Sequence, residues 1–113
     1  MAQPTIYHNP RCTKSRQTLD LLREQGYEPT VVEYLKEPLD ADSLRGLLKK
    51  LGMNASELLR RADYRKLELP ETDDEDELIQ QMVENPKTIE RPIVVSGRKA
   101  KIGRPPESVL EIL

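Results

Sequence analysis

The apolar positions along the chain change their period several times, and each change marks an element. Residues 5–8, Thr-Ile-Tyr-His, are β-prone and run into Asn9-Pro10, where proline fixes its own φ and biases Asn9 away from helix. A short strand followed by a turn is expected there. Leu19 and Leu22 then share one face of a helix predicted over 13–25, with Gly26 as its C-terminal stop. Residues 30–35, Thr-Val-Val-Glu-Tyr-Leu, are β-branched and aromatic and read as a second strand. Strand, helix and strand at this spacing make a parallel βαβ unit.

After Glu37-Pro38 the pattern becomes helical. Leu44, Leu47, Leu48 and Leu51 fall at i, i+3, i+4 and i+7 between an N-cap at Asp40 and a stop at Gly52. Asn54 with Glu57 resembles a capping box for a short second helix carrying Leu58 and Leu59, with Arg60 on or just after it. The acidic run 73–77 suits a helix N-terminus, and Leu78, Ile79, Met82 and Val83 supply a buried stripe that Asn85-Pro86 ends. The pattern then returns to β. Residues 92–95 and 100–102 flank Ser96-Gly97-Arg98 as a hairpin, and Pro105 and Pro106 suit the first turn of a last helix that turns Val109, Leu110 and Leu113 inward. The sum is a single α/β domain over 1–113 with a mixed sheet and a helical insertion at about 39–87.

Composition narrows the picture. A chain of 113 residues without Phe or Trp must build its core from Leu, Ile and Val. A net charge of -2 and few aromatics argue against nucleic-acid binding, and no apolar run is long enough to span a bilayer. The N-terminus lacks the features of a signal peptide, so a cytoplasmic protein is expected, and nothing demands more than a monomer. One cysteine cannot close an internal disulfide, and one Cys with one His cannot fill a typical zinc site, so no metal is expected. Any redox role needs a second thiol from outside.

That cysteine, Cys12, falls at the predicted strand-to-helix junction, beside the exposed N–H groups and positive end of a helix. Arg11, Lys14 and Arg16 add positive potential, and together these favour a thiolate. Cys12 is therefore a candidate nucleophile, against the plainer reading of a cap among solvated charges. His8, the only histidine, could tune it or simply bond the turn. Arg60, Arg91 and Arg104 lie at element ends, and arginines around a thiolate would bind a tetrahedral oxyanion. Taken singly each is more often an exposed charge, and spacing alone does not bring them together.

Residues 7–16 (Tyr-His-Asn-Pro-Arg-Cys-Thr-Lys-Ser-Arg), Leu59-Arg60, Glu90-Arg91-Pro-Ile-Val-Val and Ile102-Gly-Arg104-Pro-Pro-Glu, in this order and register, resemble the glutaredoxin-linked arsenate reductase family. The resemblance covers essentially the whole chain. It implies a thioredoxin-like (glutaredoxin-like) fold with an inserted helical subdomain. By the same resemblance, Cys12 matches the catalytic cysteine; Arg60, Arg91 and Arg104 match the arginines that hold arsenate; and His8, Ser15 and Arg16 match residues that favour the thiolate. Pro92 falls where thioredoxin-like folds carry a cis-proline, so a cis Arg91–Pro92 bond is expected. Thr13-Lys14 replaces the Gly-Thr pair of the best-known resistance enzymes, and the sequence stops near Leu113, where those carry a longer C-terminal tail. These differences match a chromosomal branch of the family.

The resemblance implies reduction of arsenate to arsenite with no bound cofactor, glutathione as co-substrate and glutaredoxin as reductant of the resulting mixed disulfide. Two rivals stand beside it. One is a glutathione-linked thiol oxidoreductase with another substrate. The other is an Spx-like regulatory module binding RNA polymerase, which the presence of Ser15 where those regulators have a second cysteine disfavours. A phosphatase-like arsenate reductase would need Arg six residues after the cysteine, and that position is Thr18.

Overall fold

The computed structural model describes residues 3–113. Its packing divides the chain into two units, one comprising the sequence up to Glu37 together with Arg91–Leu113, the other Pro38–Glu90.

The first unit is a four-stranded mixed sheet in the order β2-β1-β3-β4, with β1 Thr5–Tyr7, β2 Thr30–Val32, β3 Ile93–Ser96 and β4 Lys99–Ile102. Helix α1, Thr13–Glu24, links β1 to the parallel β2, while β3 runs antiparallel to both β1 and β4. The hairpin loop is Gly97-Arg98, and Gly97 adopts φ +60, which a two-residue β-hairpin turn requires and a glycine supplies without strain. Ile6 and Val94 from the central strands, Leu19 and Leu22 from α1, and Val109 form the buried core.

Two expectations for this unit are corrected. The second strand ends at Val32, because residues 33–37 close a tight turn in which Glu33 O accepts from both Lys36 N and Glu37 N. The last helix is a 3₁₀ helix, Pro106–Ile112. Its three-residue turn places Pro106, Val109 and Ile112 along one side, so Val109 and Ile112 face the core and Leu110, expected inward, is exposed.

The second unit is helical. Helix α2, Ala41–Leu51, starts at Asp40, whose carboxylate accepts from Ser43 N at 2.7 Å, and stops at Gly52 in the left-handed region. Helix α3, Ala55–Leu58, is opened by Glu57 Oε1 accepting from Asn54 N at 3.1 Å. Helix α5, Glu75–Glu84, packs its buried Leu78, Ile79 and Met82 in a bundle with α2 and α3, leaving Val83 half-buried. Helix α4, Arg61–Lys66, was not anticipated. It buries only Tyr64, so no periodic stripe announces it. Among the described residues no helix is long and apolar enough to cross a membrane.

Candidate active site

The loop between β1 and α1 is built by local hydrogen bonds that its sequence dictates. His8 N donates to Val32 O at 2.8 Å and continues the sheet for one residue. Pro10 then occupies the second position of a β-turn closed by Cys12 N donating to Asn9 O at 3.0 Å, while Asn9 Oδ1 accepts from Arg11 N at 3.0 Å. Arg16 reaches back over this turn, donating to Pro10 O at 3.0 Å and to Thr13 Oγ1 at 3.3 Å. Its charge is thus used to hold the loop shape.

Ser15 is fully buried beneath the loop. Its Oγ accepts from Asn9 N at 3.0 Å and lies 2.6 Å from His8 Nδ1. Oγ has two acceptor lone pairs and one proton, so it serves Asn9 N and the His8 ring together. Burial, acting first, lowers the His8 pKa, with Arg23 and Arg16 in the same direction and Glu33 and Asp20 opposing. His8 and Ser15 therefore form a neutral strut that ties the end of β1 to the first turn of α1.

Cys12 is the N-cap of α1, with φ -92 and ψ 122, and its carbonyl accepts the first helical bond from Arg16 N. Its sulfur lies 3.6 Å from Arg104 Nη2. Burial raises the thiol pKa, but the Ser15 N–H, a hydrogen bond from the Arg91 side chain, and the charges of Arg104 and Arg91 outweigh it and leave the pKa below the ordinary cysteine value. The Ser15 N–H acts here as an electrostatic neighbour, since no strict capping bond to the sulfur forms. Two arginines from distant parts of the chain thus meet at one sulfur.

The backbone that delivers them is closely fitted. Arg104 Nε donates to Arg91 O at 2.9 Å, locking one arginine to the main chain of the other. Gly103 N donates to Pro92 O at 2.9 Å, and a Cβ at Gly103 would come within 2.5 Å of Thr18 Oγ1 and 2.8 Å of Pro92 Cγ. The absent side chain lets the end of β4 lie directly against α1 and Pro92. The Arg91–Pro92 bond is cis, and so is Arg104–Pro105, which was not anticipated.

Arg60 belongs to the helical unit. It precedes α4, with Nε donating to Asp63 Oδ2 at 2.7 Å and Nη1 at 3.7 Å from Glu90 Oε2. An isolated antiparallel bridge between Leu59 and Ile89, with Arg60 N donating to Thr88 O at 2.7 Å, fixes its backbone. Cys12, Ser15, His8, Arg91 and Arg104 are therefore assembled in one unit, and Arg60 is held by carboxylates in the other. The Arg91 carbonyl as anchor for Arg104, the Arg16 strap and the Asp63–Arg60 pair were not read from sequence, although Asn-Pro before the cysteine signals the turn. Among the described residues no group of three or more His, Cys, Asp or Glu could hold a metal ion.

A nucleophilic sulfur under two guanidinium groups can attack an electrophilic centre carried by an oxyanion. The family model described as ArsC family matches residues 7–112. The chain belongs to the ArsC family. It is 60% identical to YfgD, an uncharacterized protein of Escherichia coli (strain K12), over 98% of this chain and 97% of that one. It is 46% identical to an arsenate reductase of Haemophilus influenzae, covering 96% of this chain and 97% of the relative. The solved arsenate reductase from Vibrio cholerae superposes with a TM-score of 0.92 at 45% identity, covering 98% of each chain. The mixed sheet and its helices are the thioredoxin-like fold of this ArsC family.

Proposed function

We propose that this chain reduces arsenate to arsenite. The observation that carries the reading is the Cys12 sulfur 3.6 Å from Arg104 Nη2, with the Arg91 side chain hydrogen-bonded to the same sulfur; an arsenate reductase at 46% identity over nearly the full chain supports the substrate.

Cys12 thiolate attacks arsenic, a sulfur–arsenic bond forms and one arsenate oxygen leaves as water. Arg91 and Arg104 offset the negative charge on the remaining oxygens, a role in which one well-aimed donor contributes about 10²–10³ in rate. Arg60 is the third arginine that the family resemblance assigns to arsenate. A glutathione thiolate then attacks the Cys12 sulfur. The sulfur–arsenic bond breaks with its electron pair on arsenic, releasing arsenite, and a Cys12–glutathione disulfide remains. Glutaredoxin attacks the glutathione sulfur of that disulfide and frees Cys12 as thiolate, since the sequence holds no second cysteine to resolve it.

The test is arsenate-dependent NADPH oxidation coupled through glutathione, glutathione reductase and glutaredoxin. Turnover that needs both glutathione and Cys12 is expected. Turnover that persists in Cys12→Ser, or that never depends on arsenate in the folded wild type, overturns the reading.

A further inference from the structure

Gly103 N donates to Pro92 O at 2.9 Å, and Arg104 Nε donates to Arg91 O at 2.9 Å. These bonds join the two arginine-bearing dipeptides, Arg91-Pro92 and Gly103-Arg104, to each other. Neither bond reaches α1, which carries Cys12 as its N-cap. The distance from the sulfur to the guanidinium groups therefore depends on how the paired dipeptides are seated against that helix.

Thr18 is the seat. It is fully buried on α1, about 9 Å along the helix axis from Cys12 at 1.5 Å per residue. A Cβ at Gly103 would lie 2.5 Å from Thr18 Oγ1, 3.1 Å from Thr18 Cγ2 and 2.8 Å from Pro92 Cγ. Gly103 is not among the glycines with positive φ, so it is space and not backbone conformation that excludes a side chain there. Thr18 is not free to swing away, because a β-branched side chain is stiff at χ1 and its hydroxyl donates to Lys14 O at 2.8 Å. Bringing the 2.5 Å approach to an ordinary van der Waals separation takes about 1 Å, and the backbone at Gly103 must supply it. Arg104 follows directly. Its Nη2 stands 3.6 Å from the sulfur, and a retreat of that size carries it out of hydrogen-bond reach.

We propose that Thr18 is a positioning residue for the reaction, its side chain acting against Gly103 as the spacer that holds Arg104 and Arg91 at the Cys12 sulfur. It acts through the arginines. Its part in turnover rests on the arsenate reading above, whereas its effect on the thiol does not.

Because Cys12 is the only cysteine, the ultraviolet absorbance of its thiolate, followed against pH with Cys12→Ser as blank, reports this one group. Gly103→Ala should move the titration up by about one pH unit, the lower end of what an opposite charge at this range contributes, and kcat/KM for arsenate should fall with it. Thr18→Ile crowds the same junction from the helix side and should move the titration in the same direction, which keeps the test open where the alanine variant does not fold. Adding Thr18→Ala to Gly103→Ala relieves the crowding and should bring the titration at least half-way back. Val109→Ala, which thins the core that Val109 shares with Leu19 and Leu22, should lower the thermal melt and leave the titration unchanged. A crowded variant that titrates like the wild type, a double variant no nearer the wild type than Gly103→Ala, or a Val109→Ala protein that titrates as high, would overturn the proposal. The expected shifts in a chain that never turns over arsenate would remove that substrate and leave the spacer standing.

Discussion

Helices α1 and α5 begin in opposite ways. Helix α5 starts at Asp74, whose carboxylate accepts from Glu77 N at 3.0 Å, and its first turn contains Glu75, Asp76 and Glu77. Four carboxylates thus face the positive end of its dipole, the arrangement that stabilises a helix. Helix α1 starts at Cys12 with no strict capping bond and no acid in its first turn, while Lys14 and Arg16 add cations. Arg91 and Arg104 are brought to the same end. One helix start is neutralised by its own sequence, and the other is left positive, with the Cys12 sulfur beside it and its thiol pKa held below the ordinary cysteine value. The difference separates a terminus whose charge the fold neutralises from one whose positive charge is left available, as the proposed oxyanion site requires.

Removing the anion at α1 should have the largest effect. Cys12→Ser should lower arsenate turnover by about 10³-fold or more, because a hydroxyl there is not ionised at neutral pH, while the thermal melt stays close to wild type. A melt that collapses would mean that the sulfur also serves as a structural cap. Arg104→Ala should lower kcat/KM for arsenate by about 10²-fold, since one donor to the oxyanion is lost. A loss confined to the glutathione dependence would move Arg104 out of the arsenate site. At α5 the same kind of change should register only as stability. Asp74→Ala should cost about 1 kcal/mol in a denaturant melt and leave thiol reactivity unchanged.

The smallest effect concerns pH. The folded pKa of His8 lies below its ordinary value, so at a pH beneath about 6.5 the unfolded chain binds a proton that the folded chain refuses. Stability should therefore fall as pH drops from there through the folded pKa, and be unaffected by His8 above it. His8→Asn should flatten this part of the stability–pH curve. An equally steep curve in the variant would assign the dependence to other groups.

Much of this contrast was legible in the residues themselves. The strand-turn-helix at Cys12 follows from Asn9-Pro10 and the Leu19/Leu22 stripe, and the α5 start from its acidic run. What was hidden has physical reasons. Helix α4 buries one side chain in six residues, too few to set a period. Leu110 was placed inward on a period of 3.6, whereas a three-residue turn carries Ile112 to the core instead. Arg91 and Arg104 meet through the register of β3 with β4 and a bond from one side chain to the other's carbonyl, and neither is encoded in local spacing. The motif resemblance named these arginines, but only the folded chain shows two of them at one sulfur.

Whether Cys12 is a thiolate inside a cationic oxyanion site is measured directly by the pH dependence of its alkylation by iodoacetamide. The wild type should titrate below the range of an ordinary cysteine, Arg104→Ala should titrate higher, and arsenate should slow alkylation of the wild type. A wild-type thiol that titrates like a free cysteine and gains no protection from arsenate would contradict the account.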